Sequence, residues 1–146
     1  GCAFLNNRYC GKEDTVKHVK VAEATEAQLD WMLGVVEGYE LSLYGVDPSI
    51  KAQVPGLGVK APWKPTRLPD QMGPIMDRER MDYESMWSTR GCGVRTGFLG
   101  YRATHPENHG GLIRYVGVGP NLSIAAARCF IVSRLGEVVE VPEALS

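Results

Sequence analysis

The side chains best suited to holding a ligand are cationic and aromatic: Lys60, Trp63, Lys64 and Arg67 in one stretch, Trp87, Arg90 and Arg95 in another. Between Pro48 and Pro69 the chain carries Lys51, Lys60, Lys64 and Arg67 and no acidic residue. Ammonium and guanidinium groups bind phosphate through charge-assisted hydrogen bonds, and an aromatic ring offers a π face to a base or a cation. Together they suit a phosphate-bearing, base-bearing ligand. The plainer alternative is a solvated loop that Trp63 pins to the core.

Other chemistries are weaker on spacing. Cys92 with His105 or His109 could form a nucleophile–base pair, but glycines flank Cys92 and nothing marks the thiol as activated. His105 and His109 are four residues apart, a metal-binding spacing on a helix, yet Pro106 and Gly110-Gly111 predict a turn there. The short glycine loops PGLG (55–58) and RGCG (90–93) could present N–H groups to a phosphate, but no Walker A, GxGxxG or GxSxG motif is present. The remaining cysteines, Cys2, Cys10 and Cys129, form no CxxC pair, and all four read as reduced thiols. No catalytic residue, metal or cofactor is expected.

The composition narrows the partners. The formal net charge of −1 argues against a large duplex nucleic-acid footprint. No apolar run reaches the ~18 residues of a membrane span, and no signal peptide is visible. The expectation is a single domain over 16–146 in the cytoplasm, preceded by an arm or upstream extension at 1–15.

The elements that must position these residues follow from period and punctuation. Residues 16–22 alternate as a short strand. Thr25 and Gln28 form a capping box ahead of Leu29, Met32, Leu33 and Val36, predicting a helix over 25–37 closed by Gly38. ELSLY (40–44) reads as a strand. Five prolines from Pro48 to Pro69 predict a long irregular loop over 45–69. A second helix is expected over about 74–82, with Pro74 in its first turn. Residues 83–93 read as a loop. Residues 94–104 and 112–118 read as a hairpin around a turn at 106–111. Asn121 caps a helix over 121–135 with two apolar stripes, and Gly136 closes it as a left-handed residue. Arg128 interrupts this helix's apolar body; it either snorkels to the rim or contacts an anion. A short extended run, 138–141, follows.

The segment GPNLSIAAARCFIVSRLGEVVEVPEAL closely resembles the C-terminal signature of the phage NinX-like family. PTRLPDQMGPIMDRE resembles that family's second signature, and VKVAEATEAQLDWMLGVVEGYEL its N-terminal segment. The likeness covers about residues 16 to 145, with departures at Arg67-Leu68-Pro69, where Ser/Thr-Asp-Trp is usual, and at Asn121-Leu122, where Thr-Pro is usual. Gly73, Pro74, Glu79, Gly119, Arg128 and Gly136 match the motifs. The resemblance implies an accessory phage or prophage protein in the bacterial cytoplasm, without an assigned reaction and so without catalytic residues to carry over. Glu79 and Arg128 lack a backbone reason, and an ion pair between the second and third helices would account for both.

The expected fold is α+β: a small antiparallel sheet centred on the hairpin, three helices against it, and the long loop at one end. The expected function is non-enzymatic, a counter-defence factor sequestering a small nucleotide-type anion through Lys60, Trp63, Lys64, Arg67, Trp87, Arg90, Arg95 and Arg128. The alternatives are a protein-binding module that blocks a host factor, and an enzyme using Cys92, His105 or His109. Homo-oligomerisation is left open.

Overall fold

The computed structural model describes residues 15–46, 48–53, 58–91, 93–105 and 115–145. The capping box forms: Thr25 Oγ1 accepts from the Gln28 N–H at 3.2 Å, and Gln28 Oε1 accepts from the Thr25 N–H at 2.9 Å. It starts helix α1 (Glu26–Glu37), whose Leu29, Met32 and Leu33 are fully buried. Before it runs strand β1 (Val16–Lys20), ending in a 3-10 turn at Val21–Glu23. After it come β2 (Glu40–Tyr44), β3 (Ser49–Gln53) and β4 (Lys60–Pro62), an antiparallel sheet in the order β2-β3-β4. The expected irregular loop over 45–69 thus contains two strands. Ile50 and Ala52 alternate inward on β3, a period-2 signal short enough for the surrounding prolines to mask.

Helix α2 spans Pro69–Glu79, earlier than the expected 74–82. Pro69 occupies the first helical position and Pro74 lies inside. A proline at position 74 frees only the Asp70 carbonyl in the first turn, so the helix tolerates it. Met72 and Ile75 form its buried face.

The expected loop at 83–93 is instead mostly strand β5 (Asp82–Thr89). It pairs with β6 (Arg95–Thr104), which pairs with β7 (Val116–Gly119). β5 escaped the sequence reading because it is half-exposed on both faces and so carries no hydrophobic alternation. The 94–104 strand of the predicted hairpin is present; residues 106–114, including the turn and the start of its partner, lie outside the described residues. Helix α3 (Leu122–Leu135) follows, capped by Asn121, whose Oδ1 accepts from the Ile124 N–H at 2.9 Å. Gly136 has a positive φ of 91° but an extended ψ of −175°, so it ends the helix without the expected αL geometry. Strand β8 (Val138–Pro142) returns to pair with β1.

The α+β class holds, with three helices among the described residues. The strands form three small antiparallel sheets rather than one: β1-β8, β2-β3-β4 and β5-β6-β7. The buried residues of all three sheets and the helices share one cluster, with Leu41, Ala52, Trp63, Ala103, Phe130 and Val141 among them. Helix α3 lies so close to β7 that a Cβ at Gly117 would overlap the Cys129 nitrogen and the Ala125 carbonyl oxygen. The small run Ala125-Ala126-Ala127, fully buried, is the matching surface on the helix. No helix among the described residues is long and apolar enough to cross a membrane.

Candidate anion-binding groove

Asp30 is fully buried on α1, one residue before Trp31, in an otherwise apolar run. A buried carboxylate needs partners. Asp30 takes them from the turn between β4 and α2: its Oδ1 accepts from the Thr66 N–H at 2.9 Å and from Thr66 Oγ1 at 2.8 Å, and its Oδ2 accepts from Arg67 Nη2 at 3.0 Å. Burial pushes the Asp30 carboxyl above its ordinary value, while Thr66 and Arg67 pull against that rise. The same turn is held on its other side by α2. Gln71 Oε1 accepts from the Lys64 N–H at 2.8 Å, and Gln71 Nε2 donates to the Pro62 carbonyl at 2.8 Å.

Trp63 lies between these two clamps. Its Nε1–H donates to the Asp30 carbonyl at 2.8 Å, and Tyr39 meets its ring edge-on at 5.1 Å. Only 4% of Trp63 is exposed. The expected stacking role is therefore replaced by the structural one: Trp63 pins the segment to the core. Its indole is a polar-tipped apolar wedge whose N–H is already satisfied.

What remains open beside Trp63 is a groove of about 400 Å³ between the start of α1, strand β3 and the β4–α2 turn. Lys51, Lys64 and Arg67 line it together with Ala27 and Pro62, and among the described residues no acidic side chain does. Arg67 is 46% exposed, so Asp30 fixes one edge of its guanidinium while the rest faces outward. The Lys51 and Lys64 side chains pair with no carboxylate among the described residues. Such a groove can accept an anionic group against three cations and shelter an apolar portion against Ala27, Pro62 and the edge of Trp63.

Lys60 is on the neighbouring sheet face rather than in the groove. Its Nζ donates to Ser42 Oγ at 3.2 Å. Ser42 Oγ in turn donates to the Tyr44 hydroxyl at 3.3 Å, and Lys51 Nζ lies 4.6 Å from the Tyr44 ring centroid. The Ser42 hydrogen bond holds the Tyr44 hydroxyl below its ordinary pKa, helped by the Lys60 and Lys51 charges.

The second group of expected site residues is elsewhere, on the β5–β6 hairpin. Trp87 and Phe98 are cross-strand partners with ring centroids 5.3 Å apart, and Phe98 continues to Tyr101 at 5.1 Å. The Arg95 guanidinium sits over Trp87 at 5.2 Å. Arg90 is exposed at the hairpin end, where its N–H donates to the Val94 carbonyl at 3.0 Å. Trp87 and Arg95 belong to a different sheet from Lys60, and neither they nor Arg90 line the groove with Lys64 and Arg67, so the eight expected site residues do not line one pocket.

Arg128 is in neither group. Its Nη1 donates to the Val118 carbonyl at 2.7 Å and its Nη2 to the Ala24 carbonyl at 3.1 Å. It thus staples β7 to the turn before α1, and the expected anion contact and Glu79 ion pair are both replaced by this role. Glu79 instead meets Arg78 at 2.9 Å, Arg134 at 3.3 Å and His105 Nε2 at 2.9 Å. Burial favours the protonated Glu79 carboxyl, but His105, Arg78 and Arg134 together hold it below its ordinary value. His105 is 4% exposed and stacks on Phe130, a setting for a structural imidazole and not for a base that must reach a substrate. Cys92 and His109 lie outside the described residues. Among the described residues no three His, Cys, Asp or Glu side chains converge as a metal site would require.

Asp30 and Lys51 at the groove, and Tyr44 on the neighbouring sheet face, are absent from the expected set. An acidic residue inside the apolar run of α1 was a readable signal for Asp30. Tyr44 had none, because its partners come together only through strand register. Compared with known proteins, the chain matches no protein-family model and no curated protein. The NinX-like resemblance therefore rests on the segments quoted above.

Proposed function

We propose that this chain is a non-enzymatic binding protein whose groove beside Trp63 takes a small phosphate-bearing ligand of the nucleotide type. The observation that carries this reading is the groove itself: Lys51, Lys64 and Arg67 line it, and among the described residues only Arg67 has a carboxylate partner, Asp30 behind it. A phosphate there gains charge-assisted hydrogen bonds, and Asp30 already holds the Arg67 guanidinium in place, so that donor needs little ordering on binding. With the phage resemblance, the role would be sequestration of a nucleotide signal of the host's defence, in the bacterial cytoplasm. The test is calorimetric titration of the whole chain with adenosine monophosphate and with a panel of linear and cyclic nucleotides. Lys64→Ala removes one half-buried donor and should weaken binding by about 1 kcal/mol, roughly fivefold. No heat and no thermal shift across the panel refutes the reading.

The β5–β6 hairpin favours the alternative of a protein-binding module. Phe98 and Leu99 are 46% and 62% exposed beside Trp87, an apolar surface with cations at its end. That reading predicts a single host protein captured by the wild type, lost with Phe98→Ser, and indifferent to Lys64→Ala.

A further inference from the structure

We infer that the groove has a second anion subsite on the outer face of the β2-β3-β4 sheet, built from Lys60, Ser42 and Tyr44, so that the ligand carries two separated phosphate groups. The inference rests on the groove reading and extends it. Strand register puts Ser42, Lys51 and Pro62 abreast and Gln53 opposite Lys60. Residues two apart on a strand share a face, so Lys51 and Lys60 are diagonal neighbours on the same side, with Cα atoms ~7–8 Å apart. Two ammonium groups at that spacing would ordinarily attract a carboxylate between them. Neither has one among the described residues: Lys60 Nζ is on a serine hydroxyl and Lys51 Nζ is over a ring. Glu40 lies on the same face, opposite Gln53 and two residues from Ser42 on β2.

Lys51 connects the two places. It lines the groove and also holds its ammonium 4.6 Å from the Tyr44 centroid. A phosphate beside Lys60 would find the Ser42 and Tyr44 hydroxyls as further donors once they turn from each other. A second phosphate in the groove would meet Lys64 and Arg67. A lone phosphate can use only one of these positions, so the arrangement selects for a dinucleotide-type ligand over a mononucleotide.

The test compares adenosine monophosphate with the 5′-phosphorylated dinucleotide pApA by titration calorimetry on the whole chain. The dinucleotide should bind at least tenfold more tightly. Lys60→Ala, at a half-buried position, and Tyr44→Phe, at an exposed one, should abolish that advantage while leaving monophosphate affinity within twofold. Lys17→Ala on β1 removes the same charge elsewhere and should change neither. If monophosphate binds in a Lys64-dependent way but the dinucleotide has no advantage, or keeps it in Lys60→Ala, the second subsite is overturned and the groove stands. An equal loss with Lys17→Ala reduces the effect to bulk charge and overturns it too. If neither probe binds, both readings fail.

Discussion

Asp30 is the residue on which the groove depends without touching a ligand, and Asp30→Ala should cost about 3 kcal/mol of stability. Two Thr66 donors lose their acceptor, and Thr66 is 5% exposed, so water cannot readily replace it. Each orphaned buried donor costs ~1–3 kcal/mol. Arg67 is 46% exposed and can turn to solvent, so its share is under ~1 kcal/mol. The wild-type carboxylate bears its own burial cost, which offsets part of the sum. About 3 kcal/mol is a large fraction of the ~5–15 kcal/mol of a typical domain, and urea denaturation at constant m resolves it. Asp30→Asn keeps an acceptor for Thr66 and should cost only ~1 kcal/mol, while freeing Arg67 and weakening monophosphate binding. The pH dependence has a definite sign. A carboxyl whose folded pKa is raised above 3.8 binds its proton more tightly when native, so its contribution falls as pH rises from 3.8 through the folded value. The wild-type advantage over Asp30→Asn therefore shrinks across that window. A cost below ~0.5 kcal/mol for Asp30→Ala, or an advantage growing with pH, would refute the account.

Glu79→Gln should lower stability at neutral pH by ~1 kcal/mol, because the amide still reaches His105 but loses the charge that faces half-exposed Arg78 and Arg134. Glu79's folded pKa is depressed, so its contribution is present above 4.5 and lost as pH falls through the folded value; acid titration of the variant should lack that limb. Tyr83→Phe should raise the melting temperature, since the Tyr83 hydroxyl is buried with no hydrogen-bond partner among the described residues and its pKa is pushed up to about 12 by burial and by Cys129. Gly117→Ala should unfold the domain or split β7 from α3, visible as loss of near-UV dichroism, because the obstructing atoms are helix backbone.

The parts of this fold that were legible in the sequence are those fixed locally. Thr25–Gln28, Gly38 and Asn121 mark helix ends through contacts spanning three or four residues, and α1 and α3 fell where those marks put them. Strand β5 and the start of α2 were not legible, for opposite reasons. β5 gains its conformation from pairing with β6 rather than from any buried stripe of its own, and Pro74 looked like a beginning although Pro69 was one. The candidate site divides the same way. Composition pointed to Lys60, Lys64 and Arg67, but it could not show that Trp63 faces inward, since a tryptophan beside lysines is equally consistent with a platform and a pin. Arg128 was singled out as anomalous in an apolar helix, correctly as an observation; its partners are carbonyls 10 and 104 residues away, which no local pattern encodes.

Strands β1 and β8 pair Lys20 with Val138 and Val16 with Pro142, so the two ends of the described chain meet side by side. The Glu143 N–H donates to the Thr15 carbonyl at 3.1 Å, and the Gln28 side chain ties down the Leu145 carbonyl at 2.7 Å. This is a contact of very high sequence separation, and its closure entropy falls due only when the intervening chain has already folded. The β1–β8 ribbon should accordingly be among the last structure to form. The same proximity makes the molecule a candidate for circular permutation. A short Gly/Ser bridge from 145 to 15 would turn the ribbon into a local hairpin, and new ends could be opened at the exposed β5–β6 turn near Gly91. Such a permutant should refold faster than the natural order at similar stability, with the groove intact on the opposite sheet.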